Sequence, residues 1–185
     1  INCDLKPGIA HPDHKAAYAA DTAAYVEHLQ QEYDYDAISY LNRDEMAQLV
    51  GSDGYHGGSL DMGAGHLHPL NYALGLTEAA RKAGVKIYQN SAVESYQEGS
   101  PNRVFCANAS VDADHLVIAC NGYLGKLDQR LSGKIMPINN FIIATEPLSS
   151  EQLDSINPRD VAIADSRFVV NYYRLSADKR MLFGG

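Results

Sequence analysis

Tryptophan is absent from the 185 residues, phenylalanine occurs four times and cysteine three times. Each scarcity excludes something. Cys3, Cys106 and Cys120 are an odd number with no short pairing motif, so they read as reduced thiols of a cytoplasmic protein, not as a disulfide frame or a metal set. Basic residues are also outnumbered: Lys plus Arg total 15 against 23 Asp plus Glu, a formal charge of -8. No Lys/Arg-rich block occurs, and without a concentrated basic face nucleic acid is not a partner. No apolar run approaches the roughly 20 residues that cross a bilayer. Ile1 to Gly8 lack the basic flank and apolar stretch of a signal peptide, and a membrane partner is not expected. The missing initial Met and the Gly184-Gly185 end read as marks of a piece of a longer chain. What is present, 45% hydrophobic and 21% charged residues, suffices for one globular domain, or for a core with a smaller lobe.

The periodicity predicts a helix over 14–33, with Ala17, Ala20, Ala24, Val26 and Leu29 on one side and Asp13 as its cap. A short strand over 37–41 follows. Asn42 and Glu45 then stand in capping-box spacing before RDEMAQLV, and Gly51 ends that helix. The clearest helix begins at Pro69, carries Leu70, Ala73, Leu74, Thr77 and Ala80 as an apolar stripe, and closes with Lys82 and Gly84. Strands are expected at 85–88 and 92–96, and hairpin arms at 104–107 and 109–111. HLVIA (115–119) has the continuous apolar pattern of a strand buried on both faces. Beyond it lie a short helix over 124–131, a long β-rich stretch over 134–146 broken by Pro147, and strands at 161–164, 168–175 and 181–183. The fold class is α+β: part of an α/β unit in the middle and an antiparallel sheet in the second half.

The order helix, AGVKIYQNSAV, hairpin, DADHLVIACNGYLG resembles the second nucleotide-binding segment of FAD-dependent amine oxidoreductases of the D-amino-acid oxidase and sarcosine oxidase superfamily. GAGHLHPLNYALGL, MPINNFIIATEPL and ADSRFVVNYYRLSADKRMLFGG carry the likeness along nearly the whole chain. The resemblance divides it into a substrate-domain part (1–60), a partial FAD-binding domain (61–130) and the antiparallel sheet of the substrate domain (131–185). It implies FAD as cofactor of the intact enzyme and a small-molecule amine, such as a gamma-glutamyl polyamine, as substrate. The family's G-x-G-x-x-G turn on the pyrophosphate has no counterpart here, since Gly63-Ala64-Gly65 lacks a preceding strand pattern and runs into His-Leu-His-Pro. The chain alone is therefore expected to hold no FAD. A flavin-free binding or interaction domain is the rival reading.

By the same resemblance Val93 lies against the adenine through its backbone, Ala119, Cys120, Asn121 and Gly122 form the small-residue turn near the ribose and pyrophosphate, and Gly184 begins the loop under the flavin ring. The bland alternatives are a buried strand valine and a strand-ending Asn-Gly turn. On the substrate side, Tyr172 and Arg174 share one face of a strand, and an arginine fork binds a carboxylate bidentately; the alternative is a surface salt bridge. Asn139 and Phe141 belong to the expected cavity floor, with Asn140 between them. Of His66 and His68, His66 is the expected cavity residue. No Cys or carboxylate completes a metal set around them. No side chain stands out as a catalytic base.

Overall fold

The computed structural model describes all 185 residues. They form two compact units, one of residues 1–79 with 140–185 and one of residues 80–139.

The larger unit is built on a mixed seven-stranded sheet. In chain order its elements are β1 (Lys6–Pro12), α1 (Ala19–Tyr33), β2 (Ile38–Leu41), α2 (Arg43–Val50), β3 (Gly58–His66), the start of α3 (Pro69–Lys82), β7 (Ile142–Ala144), α5 (Ser150–Ile156), β8 (Ala162–Ala164), β9 (Tyr172–Leu175) and β10 (Met181–Gly184). The strand order is β2-β3-β1-β8-β9-β10-β7. Only β1 and β8 run parallel. The smaller unit contains β4 (Val93–Gln97), β5 (Asn102–Cys106) and β6 (Ala109–Ala113), an antiparallel meander, then α4 (Gln129–Ser132). The unit boundary falls inside α3. No helix is long and apolar enough to cross a membrane.

Beta-1 is central to the sheet, yet its sequence, KPGIAHP, has two prolines and a glycine, residues that weaken a strand. Their positions resolve the conflict. Pro12 closes the strand, and Pro7 flanks a register shift at Gly8, whose φ of 100° suits glycine. Between them Ile9 and Ala10 pair on both sides, with β3 and with β8. One face of the sheet carries the core: Ala10, Leu60 and Ile163 pack with Met46, Leu49 and Val50 of α2 and with Tyr55 and Val161. The capping box on α2 forms as the spacing predicts. Asn42 accepts from Asp44 and Glu45, Glu45 accepts from the Asn42 N–H, and Gly51 closes the helix at φ 62°.

Several sequence expectations give way. Asp13 does not cap a helix: the helical stretch opens with a 3-10 turn at Ala16–Tyr18. Asp13 is buried instead, its backbone paired with Gly57 and His56. The strand expected at 85–88 does not form. HLVIA is not a buried strand either: residues 115–120 belong to no ladder, and Val117 is 83% exposed. Ala92, Val93, Val117 and Ala119 therefore do not share one sheet, and α3 buries none of its residues, its Leu70 and Leu74 lying more than half exposed. An apolar, β-branched run needs neighbouring strands to become a strand, and the meander β4-β5-β6 offers it no pairing. Of the long stretch 134–146 only Ile142–Ala144 joins the sheet. Pro137 cannot donate to a ladder, and Asn139, Asn140 and Phe141 lie outside β7.

Candidate functional site

The face of the sheet opposite the α2 core is open over β8, β9 and β10. Register fixes which side chains share it. Ile9 pairs with Ala162, Ala164 with Tyr172, Tyr172 with Gly184, Arg174 with Leu182, and Gly184 with Ile142. All of these except Gly184, with Leu67 and His68 from the turn before α3, Pro69 at its first residue, and Asp178 and Arg180 from the β9–β10 turn, border a cavity of about 590 Å³. That volume lies within the range of small-molecule sites, about 300–1,000 Å³.

The alternation that put Tyr172 and Arg174 on one face holds, and both line the cavity. Tyr172 donates its hydroxyl proton to Asn140 Oδ1. Its ring lies where a Cβ on Gly184 would stand, so the glycine makes room for the tyrosine. The Arg174 guanidinium is already engaged. Nη1 donates to the Leu67 carbonyl, Nε to the Leu175 carbonyl at 3.1 Å, and Nη2 lies 3.5 Å from Asp4 Oδ2. With its side chain only 16% exposed, Arg174 acts as a strut to the segments before β1 and after β3 more than as an open fork.

Arg180 differs. Its Nε donates to Asp178 Oδ2 at 2.8 Å and its Nη1 to the Thr145 carbonyl at 2.9 Å, while 37% of the side chain remains exposed. Asp178 accepts from the Ser176 hydroxyl at 2.5 Å. The Ser176 hydroxyl and the Arg180 guanidinium hold the Asp178 carboxyl below the usual carboxylate range. Sequence reasoning missed both residues. The signal was there: SADKR is a polar, charged turn between two apolar β-runs, YYRL and MLF.

Two expected cavity residues are replaced by near neighbours. His66 is buried away from the cavity, its Nε2 donating to the Asp160 carbonyl at 3.0 Å, and His68 lines the cavity instead. Beta-3 ends at His66, which still pairs with Lys6, so only the residues past the strand turn toward the open face. Phe141 is 73% exposed and Ile142 takes its place on the floor. Asn139 is exposed. Burial pushes the His66 imidazole below its ordinary range, outweighing the bond to Asp160. Tyr173, on the core face, is pushed up by burial and then by Tyr55.

Beside the cavity floor, Asp165 organises the loop between β8 and β9. Its buried carboxylate accepts from the backbone N–H groups of Arg167 and Asn171, from the Asn171 side chain and from the Tyr55 hydroxyl, and it pairs with the Arg167 guanidinium. Burial works to raise its pKa, but these donors outweigh it and the carboxyl is held low. The loop that delivers Tyr172 to the cavity is thus fixed at one charged centre.

In the smaller unit, Val93 and Cys120 border one small apolar cavity of about 80 Å³ together with Tyr96, Val104, Val117 and Leu127. Asn121 has a φ of 49°, and a Cβ on Gly122 would meet nothing within 4 Å. Ala119 is exposed beside them. Small side chains, open backbone and exposed apolar surface are the features a flat aromatic ring and its sugar would need, so Val93 and residues 119–122 fit a nucleotide in kind. Gly184 does not fit in the same way, because Tyr172 occupies the space its missing side chain leaves. An ionic cluster braces this unit: Asp128 accepts from the Tyr96 hydroxyl, and Arg130 donates to Asp128 and Glu98.

A family model described as DAO, FAD dependent oxidoreductase, matches residues 1–185. Probable oxidoreductase OrdL of Rhizobium meliloti (strain 1021) is 37% identical over 186 residues, which cover 100% of this chain and 43% of the relative. Gamma-glutamylputrescine oxidoreductase of Escherichia coli (strain K12) is 35% identical over 189 residues, again 100% of this chain and 43% of the relative. The chain thus spans less than half the length of the curated relatives it matches. Among solved structures, glycine oxidase from Geobacillus kaustophilus superposes with a TM-score of 0.75 at 14% identity, over 99% of this chain and 48% of that one. L-proline dehydrogenase from P. horikoshii gives 0.74 at 13% identity, over 98% and 49%. At these identities the structural likeness establishes the fold.

Proposed function

The chain belongs to the FAD dependent oxidoreductase family, and from that premise we propose that the whole enzyme oxidises an amine of the gamma-glutamylputrescine kind. The observation that carries this reading is the 590 Å³ cavity on the open face of the large sheet, apolar along Ile9, Ile142 and Leu182 and charged at one end. Such a cavity suits a flexible aliphatic chain with a polar head. The similarity to gamma-glutamylputrescine oxidoreductase supports the substrate class.

In this reading Val93 and residues 119–122 hold the adenosine side of FAD. When bound, FAD supplies the two-electron acceptor for the hydride that leaves the carbon beside the substrate nitrogen. Water then adds to the resulting imine, releasing the amine nitrogen and an aldehyde. The chain's own residues bind and orient. Tyr172, held by Asn140 and seated on Gly184, forms the inner end of the cavity floor. Leu182 and Ile142 give the aliphatic chain a dry path, and Arg174 ties the floor to Leu67 and Asp4.

The test is anaerobic mixing of the full-length, flavin-loaded enzyme with gamma-glutamylputrescine, followed by flavin absorbance. Rapid bleaching is expected. An enzyme whose flavin stays oxidised with this and other primary or secondary amines would overturn the reading.

A further inference from the structure

The cavity floor has two arginines, and they are not equivalent. Arg174 and Arg180 both border the cavity, the first on β9 and the second in the turn that leads into β10. Arg174 is enclosed and has three protein acceptors, one of them the carboxylate of Asp4. Arg180 leaves its Nη2 group without a protein partner, and its carboxylate neighbour, Asp178, is 65% exposed. An exposed ion pair of this sort contributes little to stability, so both members are free to exchange partners with a ligand. Asp178 is nonetheless held in place by the Ser176 hydroxyl, which also accepts from the Arg180 N–H, and the turn is closed by the Lys179 N–H donating to Ser176. The result is a pre-positioned carboxylate and guanidinium side by side at the border of a largely apolar cavity.

We propose that Asp178 and Arg180 form a clamp for a free α-amino-acid head group, Arg180 taking the α-carboxylate and Asp178 the α-ammonium. This rests on the amine-oxidation reading and specifies which end of the substrate the chain recognises. The register gives the scale. From the Gly184–Tyr172 pair to the Ser176–Arg180 pair the hairpin advances about 14 Å at roughly 3.4 Å per residue. A gamma-glutamyl diamine has about nine bonds between its terminal nitrogen and its α-carbon, which extended cover roughly 10 Å at the reach of a polypeptide, about 3.5 Å per three bonds. A substrate whose amine lies at the Tyr172 end therefore brings its zwitterionic head within side-chain reach of the rim. A simple diamine would present a lone cation there, and a fatty amine no charge at all.

The test uses the full-length enzyme and the variants Arg180→Gln, Asp178→Asn and Arg174→Lys. The first readout is binding of gamma-glutamylbutylamide, which carries the head group but lacks the terminal amine at the far end of the chain. Calorimetry is expected to show its Kd rising roughly tenfold or more in Arg180→Gln and in Asp178→Asn, the loss of a charged hydrogen bond, with Arg174→Lys affected less. The second readout is turnover of gamma-glutamylputrescine, glutarylputrescine and N-acetylputrescine. Arg180→Gln should raise KM for the first two and spare the third. Asp178→Asn should raise KM for the first alone, and kcat should hold throughout. Equal losses on all three substrates, a loss confined to Arg174→Lys, or no binding of gamma-glutamylbutylamide to the wild type would each overturn the clamp. Binding of that ligand without oxidation of any amine would leave the clamp standing and remove the amine-oxidation reading beneath it.

Discussion

Gly184 shows how much one missing side chain decides. A methyl group there would run into the Tyr172 ring, and the ring could yield only by swinging into the cavity and away from Asn140. Gly184→Ala is therefore expected to fold, to lose about 1–3 kcal/mol through overpacking, and to lower kcat/KM for the amine. Thermal melts with steady-state kinetics check it, and an unchanged Tm with unchanged kinetics would remove Tyr172 from the floor. His66 makes a second prediction. Its Nε2–H is spent on the Asp160 carbonyl and its buried Nδ1 has no partner, so a second proton would have no acceptor. Burial accordingly depresses its pKa in the fold. Above the unfolded value of about 6.5 both states are neutral and stability is unaffected. Below it the unfolded chain takes up the proton first, and stability falls as pH drops toward the folded value. His66→Gln, which keeps a donor for Asp160 without titrating, should flatten that slope. Urea midpoints at pH 7 and pH 5 measure it, and equal slopes in mutant and wild type would contradict it.

At the scale of elements, helix ends follow local rules that strands do not. Asn42 and Glu45 form the box that their spacing announces. The same rule applies at α5, where Ser149 accepts from Gln152 and Gln152 accepts from the Ser149 N–H. That signal, S-x-x-Q, stands in the sequence just past Pro147, and a helix of seven residues follows it. Asn42→Ala and Ser149→Ala should each cost about 1 kcal/mol. A chemical-denaturation series on the two variants tests this, and α2, whose Met46, Leu49 and Val50 are buried, should transmit the loss to the whole large unit. Beta-1 is the opposite case. Its prolines and glycine argue against a strand, and only its place between β3 and β8 makes it one.

Across the whole molecule, burial is uneven. The larger unit contains Ala10, Met46, Val161 and Ile163 at no more than 1% exposure, whereas the only buried residues between 80 and 139 are Leu124 and Asp128. Backbone hydrogen bonds in a unit with so little apolar burial open at low free energy. Hydrogen exchange on this chain is expected to be slowest in β1, β3 and β8 and fast throughout β4, β5 and β6, with limited proteolysis cutting first between residues 80 and 139. Slow exchange in the β4-β5-β6 meander would show that this unit is stabilised by more than its own contacts.

The sequence by itself determined what depends on near neighbours: a helix ending at Tyr33, though it was expected from 14 and forms from 19, the helices of 43–50 and 69–82, the caps at Asn42 and Gly51, the β5–β6 hairpin, and the alternation that sets Tyr172 and Arg174 on one face. Family membership was legible for a related reason, since ordered blocks of sequence carry it and no single contact is needed. Tertiary structure decided everything that depends on pairing between distant segments. It made β1 a central strand and left HLVIA without a partner. It put His68 and Ile142 in the cavity where His66 and Phe141 were expected, and it spent the Arg174 guanidinium on Leu67 and Asp4 while leaving Arg180 open. The physical reason is common to all of these. A helix satisfies its own backbone within four residues, but a strand, a cavity wall or a free guanidinium is defined by whatever the rest of the chain places against it.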